Sequence, residues 1–193
     1  MKGDAERTGP LQGRFVHLRP LSESDAALVY DFAVDPRSAH RWFFRGETPT
    51  RNESFELTLR GALASFVVVT NSTNEEVGLV IAQDPDITNQ RVSLAVIHAE
   101  RFRRLGWPLE GTALAIDWLF SNWPFRKVTA MAMEYSSADF RHGARDIFRL
   151  EARLEDVVYW QDRWWSMDLL AIRREEWAAF WGKAKGYLYR GIA

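Results

Sequence analysis

"RRLGWPLEG", residues 103–111, joins an apolar stretch, "VSLAVI" at 92–97, to a segment with helical spacing. Arg103, Arg104 and Gly106 precede an apolar helix, the arrangement in which first-turn amides receive a phosphate. Pro108 sits inside it and has no amide hydrogen. Proline suits a first turn, where its missing donor costs the helix nothing. The stretch reads either as an anion cradle lacking one donor or as an ordinary turn before a helix.

Working outward, Leu109, Ala113, Ile116 and Phe120 fall on one helical face, with Glu110, Asp117 and Ser121 as an opposing polar stripe. Upstream, "QRVSLAVI" (90–97) reads as a strand. Before it come "SFVVVTN" (65–71) and "EEVGLVIAQ" (75–83), joined by the polar turn Ser72-Thr73-Asn74. "RFVHLRP" (14–20) is a further strand. In "LSESDAALVYDFAVDP" (21–36), Ser22 and Asp25 form a capping-box pattern and Asp35-Pro36 supplies a stop. "HRWFFRGETP" is a loop, and "RNESFELTLRGALA" a second helix ending near Gly61. Downstream, "RKVTAMAM" (126–133) is a strand and "SADFRHGARDIF" (137–148) a short helix weakened by Gly143. "ARLEDVVYW" and "RWWSMDLLAI" pair as a hairpin about Gln161-Asp162, and "RREEWAAFWGKAKGYL" closes the chain as a helix. The order β-α-α-β-β-β-α-β-α-β-β-α predicts one α/β (α+β) domain over 14–193 after a polar tail at 1–13. Its sheet of about seven strands should be mixed, because strands arrive both as meanders and across a helix.

Composition narrows the function. A chain of 193 residues fits one domain. With no cysteine there is no disulfide, thiolate metal site or cysteine acyl-enzyme. His17, His40, His98 and His142 lack ligand spacing, so no metal is expected. A net charge of −1 argues against a dedicated nucleic-acid binder. Without an apolar leader or a membrane-length apolar run, a cytoplasmic setting is expected, with no membrane partner.

The element order, with the strand–"RRLG"–helix unit at its centre, resembles the GNAT acyltransferase superfamily. It is similar in particular to the branch of the ribosomal-protein-alanine N-acetyltransferases. "VHLRPLSESDA" (16–26) resembles that branch's first strand and helix, and "RRLGWP" stands where the family has Gln/Arg-x-x-Gly-x-Gly/Ala. "IFRLEARLED" (147–156) resembles its Gly-Phe-x-x-Glu-Gly segment, and "DRWWSMDLLAIRREEW" (162–177) its last strand and closing turn.

The resemblance implies an acyl-coenzyme A site, with acetyl-CoA the expected co-substrate, and a mostly antiparallel sheet splayed between its fourth and fifth strands. The pantetheine arm would lie along the edge of "VSLAVI", touching Leu94, Val96 and Ile97. Arg103, Arg104, Leu105, Gly106, Trp107 and Leu109 would receive the pyrophosphate, with Pro108 withholding one amide. Arg141 and Arg145 would form a basic face for the nucleotide. Trp42, Phe43, Phe44, Trp164 and Trp165 are candidates for an acceptor pocket, against a simple role in core packing.

Acyl transfer to an amine requires a base for the amine, a donor for the oxyanion and an acid for the leaving thiolate. The family's Asn, Ser and Tyr positions carry Ser136, Asp139 and Gly143 here, so its usual acid is not carried over. His98, Glu100, Tyr135, Ser136, Ser137 and His142 are the local candidates; Ser136 also counts as a coenzyme contact, and either serine equally suits a helix N-cap. The expected reaction is direct transfer of acetyl to a primary amine, carried by a small metabolite, an antibiotic or a protein N-terminus. Two alternatives stay open: an acyl carrier protein as thioester donor, and a catalytically silent acyl-CoA-binding or regulatory module. Trp177 and Trp181 are packing residues or a surface for a homodimer.

Overall fold

The computed structural model describes residues 11–42, 44, 46–102, 105–136 and 148–188, the last five as backbone only. Eight strands form one open sheet in the order β1-β2-β3-β4-β5-β6-β8-β7. They are β1 (Leu11–Gln12), β2 (Val16–Pro20), β3 (Ala62–Thr70), β4 (Glu76–Asp86), β5 (Arg91–His98), β6 (Lys127–Met133), β7 (Arg149–Trp160) and β8 (Arg163–Arg173). All neighbours run antiparallel except β5 and β6, which are parallel. The expected count of about seven becomes eight because Leu11 and Gln12, in the stretch read as tail, pair with Leu18 and His17. Residues 1–10 lie outside the described residues.

Alternation along the strands sorts the core into two halves. On one face Val67, Val69, Leu79, Ile81 and Ile97 pack with Val29, Phe32 and Ala33 of α1 (Ala26–Val34). Phe55 and Leu57 of α2 (Arg51–Leu59) close that half. On the other face Val68, Val80, Val92, Leu94, Val128 and Ala130 meet the apolar residues of α3 (Trp107–Asn122). Trp177 and Trp181 of α4 (Arg174–Leu188) pack in the same half. They stack at 4.9 Å and are buried, which resolves their role as packing. Each such fully buried side chain contributes about 1.5–3 kcal/mol.

Helix ends follow local chemistry. Asp25 Oδ2 accepts from the Ser22 amide at 2.9 Å, completing the expected capping box ahead of α1, whose first turn is a short 3-10 segment at Glu23–Asp25. At the far end of α3, Arg174 donates to the carbonyls of Phe120, Trp123 and Phe125, groups that a helix terminus otherwise leaves unpaired.

One expectation for α3 is overturned. Glu110 does not belong to an exposed polar stripe; it is 5% exposed. Its carboxylate accepts from the backbone amides of Arg14 and Phe15, across 95 or 96 residues of chain. Gly13 leaves the room, since a Cβ there would lie 2.2 Å from Glu110 Oε1. The helical period located the face correctly but could not show a polar partner on another element.

Candidate functional site

The parallel ladder between β5 and β6 is short. Arg91–Leu94 pair with Lys127–Ala130, and there the pairing ends. Beyond it Ala95–His98 stay bonded to β4, while Met131–Met133 stay bonded to β8. The two strands therefore diverge towards their C-terminal ends, leaving a wedge in the sheet bordered on one side by Ala95–Ile97 of β5. Leu94, registered with Ala130, marks its apex and is buried in the core. Val96 and Ile97 lie along the open edge, directed to opposite faces. Gly78 permits the close approach of β4 behind them: an added Cβ would sit 2.1 Å from the Ile97 carbonyl oxygen.

The N-terminus of α3 opens beside this wedge. Gly106, its N-cap, has φ 74°, a left-handed conformation suited to glycine. A Cβ on it would meet nothing within 4 Å among the described residues. Trp107 and Leu109 supply first-turn amides, Pro108 supplies none, and the Glu110 amide is already bonded to the Gly106 carbonyl. Leu105 is exposed at the loop. Arg103 and Arg104, expected to flank the cradle, lie outside the described residues. One carboxylate modifies the local field: burial pushes Glu110 above its usual pKa, opposed by the amides of Phe15 and Arg14.

The wide end of the wedge is bridged by the segment between α1 and α2. Tyr135, just past β6, donates its hydroxyl to the His40 carbonyl at 2.6 Å. Arg41 approaches Glu100, just past β5, at 3.8 Å, and donates to His40 Nε2 at 3.0 Å. One short turn thus touches both lips. The tip of the β7–β8 hairpin joins it: Trp160 stacks on His40 at 4.5 Å and 7°, and Tyr135 lies 4.7 Å from Trp160. Trp165 meets Tyr135 edge-on at 5.1 Å and donates its indole N–H to the Trp160 carbonyl.

The candidates separate accordingly. His98 and Glu100 stand on the β5 lip, Tyr135 and Ser136 on the β6 lip, and Trp165 joins the aromatic group. Ser136 Oγ is buried and has no hydrogen-bond partner among the described residues. Trp42 and Phe44 are packed into the α1-side core, and Trp164 is 57% exposed beside Tyr159, away from this group. Phe43, Ser137, Arg141, His142 and Arg145 lie outside the described residues. Among the described residues no cluster of His, Cys, Asp and Glu could hold a metal, and no helix is long and apolar enough to cross a membrane. His40 and Trp160 join this candidate group without having been singled out from the sequence, since "HRWF" reads as loop and Trp160 as one more strand aromatic. The available signal was their position, one between the first helices and the other at a hairpin tip.

Comparison with known proteins agrees with this geometry. The family model "Acetyltransferase (GNAT) domain" matches residues 16–139. A spermidine N-acetyltransferase SpeG chimera from Vibrio cholerae and hSSAT superposes with a TM-score of 0.73 at 16% identity, covering 84% of this chain and 98% of that one. The Vibrio cholerae spermidine N-acetyltransferase in complex with CoA and spermine gives 0.70 at 17%, covering 84% and 98%. RimL, a ribosomal L7/L12 alpha-N-protein acetyltransferase in complex with coenzyme A, gives 0.70 at 14%, covering 85% and 96%. Comparison with curated protein sequences returns no match. The family match over most of the chain, the mixed sheet, its wedge and the helix opening beside it lead to one conclusion: the chain belongs to the GNAT acetyltransferase family.

Proposed function

We propose that this protein transfers an acetyl group from acetyl-coenzyme A to a primary amine in a ternary complex. The observation that carries the reading is the end of β5–β6 pairing at Leu94 and Ala130, with the N-terminus of α3 following the β5 end of the wedge. The coenzyme would supply an activated acyl thioester. The amides of Trp107 and Leu109, at the positive end of the α3 dipole, would hold its pyrophosphate, and the edge of β5 at Ala95–Ile97 its amide arm. The acceptor would approach on the opposite face, where His40, Tyr135 and Trp160 gather.

In the transfer, the amine nitrogen loses a proton, the C–N bond forms and the C–S bond breaks, with a proton returned to sulfur. His98 and Glu100 are the groups on the β5 lip suited to take the first proton, directly or through water. Ser136 is suited to donate towards sulfur, because a buried hydroxyl without a partner costs about 1–3 kcal/mol that a ligand can relieve. The Tyr135 proton is committed to the His40 carbonyl, which favours a bracing role for that residue.

Thermal unfolding with coenzyme A and acetyl-coenzyme A tests this reading. At about one hundred times the dissociation constant, binding should stabilise the protein by about 2.7 kcal/mol. Amine-dependent release of free thiol then separates an enzyme from a binding module. A second reading, an acyl carrier protein as donor, is favoured by Pro108, whose missing amide weakens the pyrophosphate cradle. Response to a loaded carrier protein with none to coenzyme A would select it.

A further inference from the structure

We infer that Glu110 is a positioning residue for the coenzyme: it ties the first turn of α3 to the N-terminal arm, residues 11–15, so that arm docking and coenzyme binding are coupled. The inference rests on the transfer reading above. Gly106, the N-cap of α3, brings no side chain to cap the helix, and Pro108 in the first turn has no amide hydrogen. The usual side-chain cap is thus missing from this helix N-terminus, and the turn is held by other elements instead.

Two close approaches hold it. On one side Gly111 lets the turn press on β3, where an added Cβ would lie 2.7 Å from Val68 Cγ1. On the other, Gly13 lets the arm reach Glu110, and a Cβ there would collide with the carboxylate. The buried Glu110 carboxylate accepts from the Arg14 amide at 2.5 Å and from the Phe15 amide at 3.2 Å. Asn71, just past β3, grips the arm from another direction. Its side-chain amide donates to the Gly13 carbonyl at 2.9 Å, and its backbone amide to the Phe15 carbonyl at 2.8 Å. The arm is therefore fastened to the β3–β4 turn and, through Glu110, to the helix. An apolar side chain could fill the same space without the cost of burying a carboxylate. What the carboxylate adds is direction, since hydrogen bonds fix distance and angle. Amides that receive a pyrophosphate need such fixing, because a misplacement of about 1 Å can cost about a hundredfold. Coupling between two sites is reciprocal, so coenzyme held by this turn must in return hold the arm.

Two measurements test the inference: coenzyme A titration of wild type and variants, and amide hydrogen exchange of the wild type with and without saturating coenzyme A. Glu110→Ala should weaken coenzyme A about tenfold, and saturation should slow exchange at Arg14 and Phe15 by about the same factor. Glu110→Gln keeps an oxygen for both amides and should recover most of the affinity. Gly13→Ala, which displaces the arm and leaves Glu110 in place, should weaken coenzyme A as Glu110→Ala does. A lower thermal midpoint in Glu110→Ala with coenzyme A affinity unchanged would reduce Glu110 to a stabilising residue and overturn the inference alone. Unchanged exchange at the two amides, or Glu110→Gln binding as weakly as Glu110→Ala, would do the same. Should Glu110→Ala fail to fold, wild-type exchange and the affinity of Gly13→Ala decide the matter. Failure of the wild type to bind coenzyme A would overturn the transfer reading, and the inference with it.

Discussion

Tyr135 and His40, 95 positions apart in the chain, are joined by a 2.6 Å hydrogen bond from the phenol to the main-chain carbonyl. This bond fastens the α1–α2 connection to the end of β6, so the proposed acceptor wall and the proposed acyl site share one contact. Tyr135→Phe should lower stability by about 0.5–1.5 kcal/mol in urea unfolding. It should raise the Michaelis constant for the amine and leave the pH profile of turnover in place. A lost basic limb in that profile would instead make Tyr135 a proton donor.

Restoring the absent amide should strengthen the cradle. Pro108→Ala adds a first-turn donor, and one charge-assisted bond is worth about 1.5–3 kcal/mol, so coenzyme A should bind at least about tenfold more tightly by titration. Unchanged affinity would show that this turn does not hold the pyrophosphate.

Gly78→Ala probes the back of the wedge. The added methyl would lie 2.1 Å from the Ile97 carbonyl, and β4 and β5 must separate to admit it. Overpacking of this kind costs about 1–3 kcal/mol. The thermal midpoint should fall, with coenzyme A affinity falling as well, because separating β4 from β5 displaces the part of β5 that borders the wedge.

Asp25 sets an acid limit on stability. Hydrogen bonds from Arg19 at 2.7 and 2.8 Å, joined by those from Ser22, hold its carboxyl down to about 2. A depressed native pKa contributes stability above the ordinary value of 3.8 that is lost as pH falls towards 2. Asp25→Asn should cost about 1–2 kcal/mol at pH 7, allowing for solvent around Arg19, and the difference from wild type should vanish near pH 2.

Glu110 acts in the opposite direction. Burial raises its native pKa above the ordinary 4.5, so its contribution is fully present below that value and is lost as pH rises through the raised one. Glu110→Gln, uncharged throughout, should gain stability relative to wild type between acid and neutral pH. Urea midpoints for the two proteins that run parallel across that range would refute this.

The elements nearest the site were legible because their signals are local. β5 shows a strand's apolar run, α3 shows an apolar face at helical spacing, and Ser22 with Asp25 announces α1. The same kind of box recurs at α2, where Thr50 and Glu53 bond reciprocally, a signal the sequence reading passed over. The site itself was legible in part. Its strand, loop and helix follow from sequence order, and the wedge follows from family resemblance. What periodicity could not show is which distant residues meet. Glu110 looks like a surface acid until Arg14 and Phe15 bring their amides to it. His40 looks like a lone loop histidine until a hairpin tip 120 residues later stacks a tryptophan on it.

Because β5 and β6 share only a four-residue ladder, the sheet resembles two panels stitched along a brief seam. One panel carries α1 and α2, and the other ends in α4. A molecule lodged in the slit would act as a rivet, adding backbone contacts where the stitching stops. Occupancy and mechanical cohesion thus become the same event, and the loaded protein should open as one body where the empty one can part along its seam.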